Sequence, residues 1–331
     1  MMPEKPPSNE VNDPSSTPSV IEQFIGQRQV VERVRVALNA AWQDGVRFPH
    51  AIMVGPPGVG KTELCHLVSK EMGSQMFEQL AQNIRSIEQM RGFLMEPGDR
   101  DIAFIDEVHE LKPDVQVTLY RAMENGKLFL GGTDAKRKRV LEMANLTLVA
   151  ASTNPEKLLK PLRDRFKLVL QFDYYSNEEL TVMLTQRATK LGWQVDDANL
   201  FDSIAKRSRG TPRIALRILE EVRRVARSRG DSILTIEHFD AACRLEGLDA
   251  LGLGPIERKY LCILAQQAEP VRLNVLASQI GLAPKTVATT IEEFLLRVGL
   301  IGKTDKGRMI TGDGLRHLQD CASVAGEVSH G

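Results

Sequence analysis

Apolar residues along this chain follow two periods in turn. From about Val20 they fall at helical spacing through Val30, Val34 and Leu38 to Ala41, the stripe of an amphipathic helix. Four short, continuous apolar runs come next, at 51–54, 102–105, 146–151 and 168–172. Runs of this kind, separated by helical stretches, predict an α/β fold with a parallel sheet covered on both faces. After Phe172 the pattern is helical only. Ser176-Asn177-Glu178-Glu179 has the form of a capping box, and helices continue to about Leu245, broken at Gly192 and at Gly210-Thr211-Pro212. Residues 247–255 (GLDALGLGP) read as a linker. Beyond them come three short helical stretches and a hairpin around Asp305-Lys306-Gly307, the order of a winged helix-turn-helix.

The expected plan is therefore a disordered Pro/Ser-rich leader (1–18) and a large α/β domain (19–172). An all-α domain (173–246), a winged-helix domain (247–320) and a flexible tail (321–331) complete it.

Charge and composition narrow the class. The 331 residues carry 43 Lys+Arg and 43 Asp+Glu, so a protein that coats nucleic acid by bulk positive charge is excluded, as is an acidic solvating chain. Local basic surfaces are not excluded: residues 206–229 hold nine bases against Glu220 and Glu221, which read first as a solvated helix face. Cys65, Cys243, Cys262 and Cys321 stand far apart without a CxxC pair, a spacing that suggests neither a zinc site nor a disulfide framework. With no apolar run near the ~18 residues a bilayer needs and no signal-peptide pattern, a cytosolic protein with reduced thiols is expected.

The chemistry is concentrated in a few segments. Gly55-Pro56-Pro57-Gly58-Val59-Gly60-Lys61-Thr62 fits the phosphate-binding pattern GxxxxGK[ST], with a β-run before it and a helical stretch after it. Its backbone N–H groups would cradle phosphates at a positive helix end, with Glu63 the next residue in. Lys61 would reach the β/γ-phosphates, and the Thr62 hydroxyl would bind magnesium. The second apolar run ends in Asp106-Glu107, which suits Asp106 to position the metal and Glu107 to polarise the attacking water. Ser152-Thr153-Asn154 ends the third run; Thr153 and Asn154 are candidates to hold that water or sense the γ-phosphate. Arg163 and Arg165 precede the fourth run. One of them can serve a neighbouring subunit's γ-phosphate, or both can be a surface ion-pair cluster. Arg213, in the first turn of a helix, opposes the helix dipole, and that local cost favours a phosphate-contacting role.

Taken in order, these segments resemble AAA+ ATPases, and more narrowly the RuvB family of Holliday-junction branch-migration motors, from about Phe24 to Met309. Phe24-Ile25-Gly26-Gln27 is similar to the family's opening near the adenine, which makes Ile25 a nucleotide contact. FIDEVH, LYRAMENGKL, PLRDRF, GTPRIALR and the terminal GLIGKTDKGRM resemble its further segments. The resemblance implies an ATPase using ATP/ADP and Mg2+, a helical lid and a winged helix, assembled as a homo-hexamer on duplex DNA at four-way junctions with a RuvA-like partner in the bacterial cytosol. Carried over position by position, Arg165 matches the trans-acting arginine finger, Arg213 the lid sensor and Arg308 a DNA-contacting wing residue, beside Lys303 and Lys306.

The chain departs from the family pattern in three places. Thr17-Pro18 stands where Arg-Pro is usual, and Ser152-Thr153-Asn154-Pro155 replaces ATTR. In the insert at 131–143, Arg139 takes one apolar partner-gripping position while Leu141 keeps the other, behind the cationic run Lys136 to Arg139. Two alternatives stay open: another AAA+ role, clamp-loader-like or remodelling, and a regulatory paralogue that binds DNA under ATP control. The GRM wing disfavours the first; Glu107 and Arg165 disfavour the second.

Overall fold

Among the described residues, seven strands organise the first part of the chain. They are β1 (Ala51–Val54), β2 (Met76–Leu80), β3 (Ile102–Asp106), β4 (Lys127–Leu130), β5 (Arg139–Glu142), β6 (Thr147–Ser152) and β7 (Leu168–Gln171). The computed structural model describes residues 20–130 and 139–328, so the expected leader at 1–18 and the tip of the insert lie outside the described residues. Five strands form one all-parallel sheet in the order β2-β3-β6-β1-β7. All of β6 and nearly all of β3 and β1 are buried, which is why their sequences are continuous apolar runs. On one side, Met90, Phe93 and Leu94 of α3 (Ile87–Met95) and Val115, Leu119 and Ala122 of α4 (Pro113–Asn125) pack with Ile52, Ala103, Ile105, Leu148 and Ala150. Each fully buried large side chain there contributes about 1.5–3 kcal/mol. The stripe read in the sequence forms α1 (Arg28–Gln43), with Val30, Val34, Leu38 and Ala41 buried.

Edge strand β2, in contrast, has the mixed sequence MFEQL and is partly exposed along its length. A search for continuous apolar runs passes over it for that reason.

The sheet is pinned where β1 begins. Thr147 Oγ1 donates to the Phe48 carbonyl at 2.6 Å, and His50 Nδ1 accepts from the Leu148 amide at 2.8 Å. Both bonds tie β1 to β6 in register. Burial, helped by the nearby Arg47 and Lys167 charges, depresses the His50 pKa to about 3.

Two compact units divide at residue 175. The second begins with the expected capping box: Ser176 Oγ accepts from the Glu179 amide and the Glu179 carboxylate accepts from the Ser176 amide. Helices α6 (Asn177–Lys190), α7 (Asn199–Arg207), α8 (Pro212–Ser228) and α9 (Ile236–Glu246) follow. One correction applies: β8 (Gln194–Val195) and β9 (Ile233–Leu234) form a short parallel pair, too brief to leave a two-residue period in the sequence.

The bases of 206–229 are largely engaged inside this unit. Lys206 pairs with Asp202, Arg217 with Glu246 and Arg224 with Glu221, while Arg223 lies over the Trp193 ring and Arg207 over Phe239.

The expected linker is a clamped turn. Arg207 Nε donates to the Asp249 carbonyl at 3.0 Å, Arg209 Nε and Nη2 donate to the Gly252 carbonyl at 2.9 and 2.5 Å, and Arg209 pairs with Glu257 at 2.7 Å. A Cβ at Gly252 would sit 2.1 Å from the Arg207 carbonyl oxygen, so glycine is required for the close approach.

The winged helix comprises α10 (Pro255–Ala265), α11 (Leu273–Ile280), and α12 (Pro284–Thr286) running through a π-turn (Val287–Glu292) into α13 (Glu293–Arg297). The hairpin of β10 (Ile301–Thr304) and β11 (Gly307–Ile310) follows. Its core joins Tyr260, Leu261 and Leu264 to Leu276, Ile291, Leu295 and Leu300. The last helix, α14 (Gly312–Val328), runs on through residues expected to be a frayed tail. The four cysteines are free, with Cys65 buried and its thiol pushed up by burial. Among the described residues no helix is long and apolar enough to cross a membrane.

His50 makes the first unit acid-sensitive. Its folded pKa lies below the unfolded value, so between about pH 6.5 and 3 the unfolded chain binds more protons and stability falls as pH falls, by up to about 1.4 kcal/mol per pH unit. Urea unfolding at pH 7 and pH 5 should show this loss, and His50→Gln should flatten it. A pH response unchanged by that substitution would remove His50 as the source.

Candidate functional site

The parallel register sets the site. Val54 pairs with Ser152 and Ile105 with Ala150, so the carboxyl ends of β1, β6 and β3 lie side by side and their loops share one edge. The first of these loops is the Gly-rich turn between β1 and α2 (Lys61–Met72). Gly55, Gly58 and Gly60 have φ of 154°, 78° and 95°. At Gly55 a Cβ would lie 2.5 Å from the Phe172 carbonyl oxygen, so this glycine lets the turn close against the chain leaving β7. Tyr175 Oη donates to the Val59 carbonyl at 3.2 Å, and the Phe24 ring is 3.1 Å from the Cβ position of Gly60. Phe24 thus brings the Ile25 segment beside the loop. Gln27 secures that segment by exchanging two hydrogen bonds with the Asp173 backbone, at 2.6 and 3.1 Å. Lys61 Nζ donates to the carbonyls of Gly55 and Pro56 at 2.9 and 2.8 Å, which arches the side chain over the loop. Thr62 and Glu63 follow it in the first turn of α2, where unpaired N–H groups and the helix dipole favour an anion.

Asp106 ends β3, and its Oδ1 accepts from the Glu107 amide at 2.9 Å. Glu107 is a non-glycine residue at φ 51°, a left-handed conformation that costs of order 1 kcal/mol and clusters at functional sites. Its carboxylate reaches across to the end of β6, where Oε2 accepts from both the Thr153 amide (3.2 Å) and hydroxyl (3.1 Å). His109 is the residue that motif reading missed. Its Nδ1 lies 3.1 Å from Glu107 Oε2 and 3.1 Å from the buried Ser152 Oγ, and its Nε2 lies 3.2 Å from Glu110. The signal was present in FIDEVH, two residues past the acid. Asn154 donates its amide to Ser152 Oγ at 3.1 Å, so its backbone, not its side chain, completes this network. The residues brought together are the P-loop, Asp106, Glu107 and Thr153.

Arg165 is not among them. It lies between α5 (Lys160–Arg163) and β7, at the amino end of a strand whose carboxyl end adjoins the P-loop. Four strand residues, three rises of about 3.3 Å, put about 10 Å between the two ends. Its Nη2 donates to Glu124 at 2.5 Å, while its Nε, though buried, has no hydrogen-bond partner among the described residues. Arg163 pairs with Glu156 at 3.4 Å.

In the second unit, Arg213 is exposed in the first turn of α8. In the wing, Lys303 and Lys306 are exposed. Arg308 corrects the sequence expectation. Its guanidinium makes a two-pronged pair with Glu292 at 2.9 and 3.1 Å, with the side chains only 13% and 2% exposed. Tyr260 Oη donates to the same carboxylate at 2.8 Å, and burial with that carboxylate pushes the Tyr260 pKa up. Arg308 also exchanges two backbone hydrogen bonds with Val271, each 2.8 Å. Gly307 permits that approach, because a Cβ would sit 2.4 Å from the Val271 carbonyl oxygen. The GRM segment is thus the wing's internal anchor, and a guanidinium committed to a buried carboxylate is not offered to phosphate.

In the insert, Leu128 is buried while Phe129, Val140 and Leu141 are exposed on the β4–β5 hairpin. The cationic residues 136–138 and the Arg139 side chain lie outside the described residues.

Comparison with known proteins agrees with this arrangement along most of the chain. Residues 16–172 match the family described as the Holliday junction DNA helicase RuvB P-loop domain, 175–249 the RuvB AAA lid domain, and 250–319 the RuvB C-terminal winged helix domain. A protein of Rubrobacter xylanophilus, named Holliday junction branch migration complex subunit RuvB, is 34% identical over 313 residues, covering 93% of this chain and 88% of that protein. One of the same name from Kosmotoga olearia is 35% identical over 305 residues, covering 91% and 89%. The solved structure of the Thermotoga maritima RuvB Holliday junction branch migration motor superposes with a TM-score of 0.80 at 30% identity, over 91% of this chain and 97% of that one. Matched through its ATPase, lid and winged-helix domains alike, the chain belongs to the RuvB family.

Proposed function

We propose that this protein is an ATP-hydrolysing motor subunit that drives branch migration at Holliday junctions, working as a ring on duplex DNA with a RuvA-type partner. The observation that carries this reading is an incomplete half-site. The register sets Glu107 and Thr153 beside the P-loop, yet leaves Arg165, the residue that matches the family's arginine finger, at the far end of β7. A chain that cannot supply its own arginine needs a neighbour to supply it, and neighbours in repetition close into a ring. We propose six subunits for that ring, as the resemblance to the family implies.

The residues divide the work. The P-loop amides and the α2 N-terminus bind the phosphates, and Lys61 exchanges its loop carbonyls for phosphate oxygens. Mg2+, held by Thr62 and Asp106, would neutralise charge developing on the phosphates. Glu107 takes a proton from the attacking water. With its Oε2 held by Thr153, it is restrained until that contact loosens, so Thr153 couples the state of the phosphates to the base. Arg213 senses the nucleotide from the lid. Lys303 and Lys306 hold duplex phosphates without reading bases, as a translocating motor requires. The exposed Phe129, Val140 and Leu141 offer the RuvA-type partner an apolar face that persists despite Arg139.

Lys61→Ala should abolish ATP turnover, and Glu107→Gln should lower it by about 10²–10⁴-fold with nucleotide still bound. Arg165→Ala should lower it by about 10³-fold or more. Mixing Arg165→Ala with Lys61→Ala subunits should restore part of the turnover, because the interface then joins an intact P-loop to an intact arginine. Absence of recovery in mixed rings, or full turnover in Arg165→Ala alone, would overturn the ring interface.

The wing predicts a contrast of its own. Replacing Lys303 and Lys306 with alanine should weaken binding to unrelated duplexes equally and lower the salt slope by about two. Arg308→Ala should instead destabilise the winged helix by about 3–5 kcal/mol, because Glu292 is left buried and unpaired. Anisotropy titrations across salt, beside thermal melts, separate the two. Unchanged melting with a reduced salt slope in Arg308→Ala would return that residue to the DNA surface.

A further inference from the structure

Three chemically different metal donors meet in the second unit, where α9 gives way to the winged helix. His317 Nε2 lies 2.8 Å from Asp249 Oδ2, and Cys321 Sγ lies 3.7 Å from that oxygen and 3.6 Å from the same ring nitrogen. All three ligand atoms fall within 4.8 Å of one another. His317 and Cys321 stand four residues apart on α14, hence on one face a turn apart. Asp249 is held from two other directions. Its Oδ1 accepts from the amides of Leu251 and Leu253 at 2.9 and 2.8 Å, and its backbone carbonyl accepts from Arg207. Those bonds fix Oδ2 toward the histidine, the kind of outer support that orients metal ligands.

The geometry distinguishes chelation from thiol activation. A relay that activates a cysteine uses both ring nitrogens, one toward the acid and one toward the thiol. Here Nε2 faces both, so the donors converge on a single point. Tetrahedral Zn2+, with bonds of about 2.0–2.3 Å, sets its ligand atoms about 3.3–3.5 Å apart. The two sulfur distances are already close to that, and the Asp249–His317 pair needs to open by only about half an ångström. Asp249 and His317 are nearly buried, at 5% and 11% side-chain exposure, while Cys321 is partly exposed and opens the site to solvent. We propose that Asp249, His317 and Cys321 bind a divalent transition metal of the zinc class, with water as fourth ligand, and that the ion fastens α14 to the turn between α9 and α10. Nitrogen, oxygen and thiolate together select this class over magnesium or calcium. Far-apart cysteines conceal such a site in the sequence, because only one of them takes part and its partners come from 249 and 317.

The test uses full-length protein stripped with a chelator and titrated with Co2+ without nucleotide or magnesium. One equivalent should produce the intense visible bands of four-coordinate cobalt and a near-ultraviolet thiolate charge-transfer band, both removed by Zn2+. Cys321→Ser should lose the charge-transfer band, Cys262→Ser should keep it, and His317→Gln should weaken cobalt binding by about tenfold or more. In the wild-type protein, which needs no variant to fold, Zn2+ should slow alkylation of Cys321 by about tenfold or more and leave exposed Cys262 unaffected. Weak octahedral bands alone, a charge-transfer band that survives Cys321→Ser, or equal Cys321 alkylation with and without Zn2+ would overturn the site. None of these readouts involves ATP turnover, so the motor reading stands or falls separately.

Discussion

Closure of the sheet around β1 is the constraint on which the nucleotide site rests. Thr147 and His50 bind β6 to the chain entering β1, and the resulting register sets Val54 opposite Ser152. A parallel strand slipped by one residue would turn its buried side chains to the opposite face. It would also carry Thr153 away from Glu107 by about 3.3 Å, more than the hydrogen bond between them could tolerate. On the other flank, β7 delivers Phe172 to Gly55, where no side chain fits. Site geometry and core packing are therefore one specification, fixed by bonds made away from the phosphates.

Much of this was legible in the sequence. The buried strands β1, β3 and β6 write themselves as continuous apolar runs, and the edge strand β7 keeps the run Leu168-Val169-Leu170, so all four could be read, along with the P-loop and the acid pair that follow two of them. The α1 stripe and the Ser176 capping box were equally local. What was not legible depends on distant partners. β2 is an edge strand partly exposed along its length, and its mixed sequence carries no run. The β8–β9 pair is two residues long on each side and exists because α6 and α8 bring its halves together. His109 gains its role only when Ser152 and Glu107 flank it across two strands.

The arginines show the same division more sharply. The family resemblance favoured Arg308 as a DNA contact, while the partner it has in this structure, Glu292, lies 16 residues away on the helix behind the wing. Arg209 likewise belongs to a basic stretch but spends its charge on Glu257 and the Gly252 carbonyl. A cation's sequence neighbourhood says little about its function when a buried carboxylate can reach it, because desolvating that carboxylate alone costs several kcal/mol and makes the pairing close to obligatory. Lys303 and Lys306 have no such partner among the described residues and are exposed to water.

The two units spend their polar bonds differently, and the difference suits a motor. In the first, Glu107, Thr153, His109 and Ser152 form a small network whose bonds lie at 3.1–3.2 Å, longer and so weaker than the 2.5–2.9 Å contacts that Arg209 makes at the α9–α10 turn. Weak, shared bonds around the proposed base, Glu107, are free to exchange partners. Strong, dedicated bonds at Arg209, and the Arg308–Glu292 pair in the wing, hold the lid helices and the winged helix as one body. Under the proposed motor reading, a change that starts at Glu107 can do work on DNA only through a stiff second unit, and the buried, charged contacts within that unit supply such stiffness.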